Sequence, residues 1–197
     1  MFRSFKSQEE RWFDGWLKEL TILGYVKSYS YEPVTVTLAE PKTIDWNKQL
    51  HTKVKSKTFN IKPKIQYTID FEIIWNIDLT DGILTFNSES NYTSKCIFWL
   101  EKNCYNNYIE IKGMFDRLGT SRDTKTKMAW AQEKCNINIT LIKPLELFSR
   151  TFYPEVYLLT ESGNTDRKKK MNGVLTPIRD IVENITKWNA KNSNNRC

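Results

Sequence analysis

Apolar residues near the start of the chain recur at three- and four-residue spacing. Phe13, Trp16, Leu17, Leu20 and Leu23 form one stripe, which predicts an amphipathic helix over "SQEERWFDGWLKELTILGY", and Gly24 follows as a stop. Ser7 is a suitable N-cap, and Glu10 stands three residues later, where a capping-box partner belongs. The pattern then shifts to the short period and β-branched richness of strands. "YVKSYSYEPVTVTLAE" is broken by Pro33, and "FNIKPKIQYTIDFEIIWNI" leads out of a basic polar stretch. Between them, from about Pro41 to Lys57, lysines and the lone His51 predict an exposed connection.

Farther on, the Asp81-Gly82 turn signal and the apolar run Cys96 to Leu100 predict one or two inserted strands over 76–107, drawn as a β-hairpin. "YIEIKG" (Tyr108 to Gly113) alternates: Ile109 and Ile111 face one way, Glu110 and Lys112 the other. "TSRDTKTKMAWAQEKC" predicts a helix with Met128, Ala129, Ala131 and Cys135 inward, and "INITLI" a buried strand. "FYPEVYLL" reads as a further strand. "TPIRDIVENITKWN" predicts a C-terminal helix capped by Thr176, with Pro177 at its first position. A strand, helix and strand in succession around Glu110 to Ile142 imply a right-handed crossover. The expected class is therefore α/β, a mixed central sheet flanked by helices. Residues 1–143 form its core, and 144–197 an accessory region in the same globule.

Composition adds that the chain folds and tilts basic. Hydrophobic residues make up 40% of the 197, too many for a disordered chain. Lys and Arg number 30 against 23 Asp and Glu, a net charge of +7 that directs attention to polyanionic partners. Cys96, Cys104, Cys135 and Cys197 lack CxxC spacing and lie far from His51, which argues against a zinc finger or knuckle. No leader pattern or long apolar run is present, so no membrane association and a cytoplasmic location are expected.

The candidate chemistry lies in two runs, "YTIDF" and "EIKG". If the strand entered by Asp70 pairs with the strand of Glu110 and Lys112, Asp70, Glu72, Glu110 and Lys112 converge at one end of a sheet. Carboxylates about 4 Å apart repel by roughly 4 kcal/mol at an effective dielectric of about 20. A divalent cation and a lysine would offset that repulsion, and hard oxygen ligands suit Mg²⁺ or Mn²⁺. Each residue also has a plain structural role open to it. Glu10 can serve as a capping-box residue, Glu110 and Lys112 as a solvated strand face, and Asp70 as a strand terminator.

Asp70 followed by Glu110-x-Lys112 resembles the PD-(D/E)xK nuclease superfamily. Within it the likeness is nearest to phage Holliday-junction resolvases and, less closely, to transposition endonuclease subunits. Ser7 to Glu10, "YTIDF" at Tyr67 to Phe71, "EIKG" at Glu110 to Gly113 and the helix of Arg122, Lys125 and Lys127 follow the family order. Ile69 stands where the pattern has proline, and about 40 residues separate Asp70 from Glu110, longer than in compact resolvases.

The resemblance implies a restriction-endonuclease-like core and metal-dependent phosphodiester hydrolysis. Asp70, Glu110 and the Ile111 backbone carbonyl would hold Mg²⁺, for which Mn²⁺ can substitute, with Glu10 assisting. Lys112 would position or activate water, while Arg122, Lys125 and Lys127 would bind DNA phosphates. It also implies a homodimer, or a subunit of a larger DNA-processing complex, in the bacterial host cytoplasm if phage-encoded. Branched DNA is the first substrate expectation. The rivals are a general duplex or transposition-end nuclease and an inactive nuclease-fold protein that binds DNA or a host partner.

Overall fold

In the computed structural model, residues 4–76, 86–87, 98–99, 106–113, 120–160 and 162–164 are described. Helix α1 (Gln8–Ile22) forms where the apolar stripe predicts it. Ser7 Oγ accepts from Glu10 N at 3.1 Å, and Gly24 closes the other end in the left-handed region at φ +81. Its stripe buries Phe13, Trp16, Leu17 and Leu20 completely.

The chain then forms β1 (Val26–Tyr31), β2 (Thr35–Ala39), β3 (Lys42–Gln49), β4 (Val54–Lys62), β5 (Ile65–Thr68) and β6 (Phe71–Trp75). These six strands pair antiparallel as β1 with β6, β2 with β5 and β3 with β4. They make one long nested hairpin whose two sides break at the same levels. Pro33 interrupts one side and Ile69–Asp70 the other, with the crossing bridged by Glu32 N to the Asp70 carbonyl at 2.8 Å and Ile69 N to the Val34 carbonyl at 3.1 Å. Proline has no N–H to give a ladder, so this is where the ribbon can change sheets.

The main sheet has the order β1-β6-β9-β10, where β9 is Asn106–Ile111 and β10 is Ile139–Ile142. Strand β6 runs antiparallel to β9 in the register Phe71↔Ile109, while β10 runs parallel to β9 with Ile142↔Ile111. The parallel step is bridged by helix α2 (Thr120–Cys135). The sheet is thus mixed, with a helix on each face. One face of β6 and β9 (Phe71, Ile73, Trp75, Ile109, Ile111) packs on α1. Against the other, Tyr67, Ile69, Val36 and Leu38 from the β2/β5 pair meet Ala131 and Met128 of α2.

Several expectations are corrected. The stretch after Pro41 is not a simple connection: β3 and β4 form a regular two-stranded arm, every residue of which is exposed. The inserted strands β7 (Phe86–Asn87) and β8 (Phe98–Trp99) pair parallel, so they are not a hairpin, because a tight turn cannot join parallel strands. Asp81-Gly82 lies outside the described residues. In α2, Ala129 and Cys135 are exposed, while Thr124, Met128 and Ala131 face inward, since the helix covers a narrow ribbon. Strand β10 is half-buried apart from Ile142, as an edge strand must be.

"FYPEVYLL" is not a strand either. Helix α3 (Pro144–Arg150) and a 3-10 turn at Glu155–Leu158 carry Leu147, Phe148, Phe152 and Tyr153 into the α1 core, where Trp16 and Phe152 stack at 5.6 Å. Pro154, extended at φ -76, opens that turn. The C-terminal helix expected from Thr176 lies outside the described residues. Among the described residues no helix is long and apolar enough to cross a membrane.

Candidate active site

The break between β5 and β6 leaves Asp70 out of the ladder, at the end of β6 that adjoins Glu110. Its carboxylate takes the place of a strand partner: Asp70 Oδ2 accepts from the backbone N–H of Ile111 at 2.7 Å. The interval of about 40 residues therefore does not separate the two strands, because the inserted segment leaves and returns at their far end. N–H and C=O of one strand residue face the same neighbour, so the carbonyl of Ile111 is on the side of Asp70. Lys112 N turns the opposite way and donates to the Ile142 carbonyl at 3.0 Å.

Glu110 is buried, 5% exposed, which overturns the solvated-strand-face alternative. Its carboxylate is held from both sides: Tyr67 donates its hydroxyl to Oε2 at 2.7 Å, and Lys112 Nζ lies 2.8 Å from Oε1. A carboxylate buried with an ammonium and a phenol is charge-compensated, and its orientation is fixed. Burial, then the adjacent Glu110 charge, push the Tyr67 hydroxyl far above its ordinary value, so it remains a donor.

Glu10 comes from the first turn of α1. Its Oε2 accepts from Tyr31 Oη at 2.6 Å and from Lys6 N at 3.0 Å. The capping role is thus present in altered form, the carboxylate taking the N–H one residue before the N-cap. Burial first, then Glu10, raise the Tyr31 hydroxyl well above the usual tyrosine range. Lys6 pairs with Glu32 and is raised chiefly by that contact, with Glu10 and Asp70 adding to it.

Burial pushes the Asp70 carboxyl up to about 7; the Glu110 charge adds to the rise and so does Glu10, while the Ile111 N–H and Lys112 oppose it. Asp70 thus feels the charges of Glu110, Glu10 and Lys112, the first and last of which the strand alternation places near it. Glu72 is not among them. It lies one pleat along β6 and accepts from Asn106 Nδ2 at 2.8 Å and Ser30 Oγ at 3.3 Å. Gly113 has a local reason too: a Cβ there would sit 3.1 Å from Glu9 Oε1, which the first turn of α1 brings against the end of β9.

As the side chains stand, no three His, Cys, Asp or Glu groups among the described residues form a ready-made cage for an ion. Asp70, Glu110 and the Ile111 carbonyl are hard oxygen donors of the type that suits a divalent cation such as Mg²⁺ or Mn²⁺. Burial is the main cause of the rise at Asp70, and the Glu110 charge adds more to it than Lys112 offsets.

The basic residues of α2 are not in this cluster. Arg122 and Lys125 are exposed, and Lys127 pairs with Asp123 at 2.9 Å. The helix of a parallel crossover runs back against its strands, which puts the first turns of α2, with Arg122, at the sheet end that carries Glu110. Sequence reading missed Tyr67, Tyr31 and Lys6. Tyr67 was visible inside "YTIDF", but its reach to Glu110 depends on the bend at Ile69. The chain has no match among family models, curated proteins or solved structures.

Proposed function

We propose that the protein is a metal-dependent DNA endonuclease of the PD-(D/E)xK kind, hydrolysing phosphodiester bonds at the site of Asp70, Glu110 and Lys112. One observation carries the reading. The acid entering β6 and the E-x-K of the neighbouring strand meet through the Asp70 to Ile111 hydrogen bond, with Glu10 of the first helix in the same field. The order helix, three antiparallel strands, helix, parallel strand around that site supports a restriction-endonuclease-like core.

A divalent cation held by Asp70, Glu110 and the Ile111 carbonyl, Mg²⁺ or Mn²⁺, would polarise the phosphoryl group and lower the pKa of water. The remaining roles belong to the chain. Lys112 stabilises negative charge on the phosphoryl oxygens and orients the attacking water. Tyr67 keeps the Glu110 carboxylate aimed, and Glu10, fixed by Tyr31, assists on the helix side. Arg122 and Lys125 hold flanking phosphates, giving affinity without sequence preference; Lys127 can join them only by leaving Asp123. Two strands cut symmetrically call for a homodimer or a larger complex, with branched DNA as the favoured substrate and ordinary duplex or a transposon end as the alternatives.

A second reading, a nuclease fold that binds DNA or a host partner without cutting it, draws on the full engagement of Glu110 by Tyr67 and Lys112. Cleavage of labelled four-way-junction and linear duplex DNA in Mg²⁺ or EDTA decides between them. The nuclease cuts only with metal, and Lys112→Ala lowers the rate by at least about a hundredfold. Well-folded protein that cuts neither DNA with any divalent metal leaves the second reading.

A further inference from the structure

The arm formed by β3 and β4 takes no part in either core. All residues of both strands are exposed. From Lys42 to Lys62 the sequence holds six lysines and one acid. Residues directly paired across a hairpin share a face, and the register assigns the two faces different chemistry. Thr43/Asn60, Asp45/Thr58, Asn47/Ser56 and Gln49/Val54 make a nearly uncharged face, tied by Thr58 Oγ1 to Asp45 at 2.7 Å and Ser56 Oγ to Asn47 at 2.8 Å. Ile44/Phe59, Trp46/Lys57 and Lys48/Lys55 make the other.

That second face is built as a contact surface. Ile44, Trp46 and Phe59 are 52%, 49% and 44% exposed, although Trp46 and Phe59 sit ring to ring at 6.2 Å, and Lys57 Nζ lies 5.0 Å from the Phe59 ring centre. Lysines on an exposed strand can serve merely to prevent edge pairing. That role does not require Lys48 and Lys55 directly opposite each other on a face that holds no acid, an arrangement that destabilises the hairpin. Like charges set face to face beside exposed aromatics are relieved by a polyanion. A two-stranded ribbon is also the width that the major groove of duplex DNA admits.

We infer that the β3/β4 arm is a second DNA-binding element that lays its Ile44, Trp46, Lys48, Lys55, Lys57 and Phe59 face against duplex DNA, away from the cleavage site. The inference rests on the DNA reading of that site and adds to it a footprint longer than the site alone provides. Strands β2 and β5 join the arm to the break at Asp70, so duplex gripped by the arm is held at a fixed offset from Glu110 and Lys112. The lysines supply salt-dependent affinity, and the aromatic pair supplies apolar contact with sugars and base edges.

The test measures duplex binding in EDTA across a salt series for wild type, for Lys48→Ala/Lys55→Ala/Lys57→Ala together, for the matching Lys→Arg triple and for Trp46→Ala. Three lost phosphate contacts reduce the slope of log K against log salt by about 2.7, which is about a 40-fold difference in salt sensitivity over a fourfold salt range. The Arg triple keeps the wild-type slope. Trp46→Ala weakens binding about fivefold or more without changing the slope, because it removes contact and no charge.

If wild type binds and cuts DNA while the Ala triple has its affinity and slope, the arm inference falls and the nuclease reading stands. If the arm variants lose binding but no DNA is cut, the arm stands and the nuclease reading falls. Tighter binding of single strands than of duplex, or a change in solution mass on mutating the arm, overturns the duplex assignment in favour of an unpaired strand or of a second copy of the chain.

Discussion

Asp70 keeps its proton up to about pH 7 because it is buried, with the Glu110 charge beside it as the next cause. An unfolded carboxyl of this type titrates near the ordinary 3.8, so between these values the folded state binds the additional proton. Stability from this group is therefore greatest at low pH and is lost as pH rises through the window from about 4 to about 7. Asp70→Asn keeps the acceptor for Ile111 N–H and removes the charge. Urea unfolding at about pH 8 should find it more stable than wild type by about 1–3 kcal/mol, and the gain should vanish near pH 4. Adding Mg²⁺ at a hundred times its dissociation constant should stabilise wild type by about 2.7 kcal/mol and leave Asp70→Asn almost unchanged. Equal stability of the two proteins at high pH would mean that Asp70 is well compensated without a cation. The acids were legible in the sequence as residue types at a suggestive spacing. Their partners Tyr67 and Tyr31 were not, because a phenol 43 or 21 residues away finds its carboxylate only after the strands bend.

At the scale of elements, α1 connects the site to the core. Its first turn carries Glu9 and Glu10 to the ends of β9 and β1, while its middle buries Phe13 and Trp16 against Phe71 and Phe152. Gly15 sits on the side that meets the 3-10 turn, where an added Cβ would collide with Val156 Cγ1 and sit 3.5 Å from Pro154. Helix propensity alone favours Gly15→Ala by about 0.8–1.0 kcal/mol, but overpacking at such a contact costs about 1–3 kcal/mol. The expected outcome is a lower denaturation midpoint, restored in large part by the double change Gly15→Ala/Val156→Ala. A midpoint raised by Gly15→Ala alone would show that the turn gives way easily. Element identity was readable where one period dominated, as in α1 and β6. It was misread at "FYPEVYLL", where the aromatic alternation suggests a strand while Pro154 and the α1 surface impose a 3-10 turn.

Across the whole molecule, stability and DNA contact are assigned to different parts. The two core clusters draw on α1, the sheet, the β2/β5 pair, α2 and the α3 region, and none of their residues comes from β3 or β4. Replacing residues 43–61 by a short glycine-containing turn should therefore leave the thermal midpoint within about 2 °C of wild type, a shift below what 1 kcal/mol would produce. An isolated two-stranded hairpin is marginal in water, so arm amides should exchange with solvent long before those of Phe71 to Trp75. A large fall in midpoint on deleting the arm would place it inside the cooperative unit.

Residue order alone was enough for the faces: which side of α1 is apolar, that Ile109 and Ile111 oppose Glu110 and Lys112, and that the class is α/β with a crossover after β9. Those features depend on periods of two and 3.6 residues, which are local. Long-range contacts were needed for the rest: Asp70 leaves the ladder to bond Ile111, Glu110 is buried under Tyr67, Glu72 bonds Asn106 and Ser30 instead, and the segment of β3 and β4 pairs into an exposed arm. Each of these depends on where a ribbon kinks and which strand lies beside which, and a pattern repeated every few residues carries no record of such distant pairings.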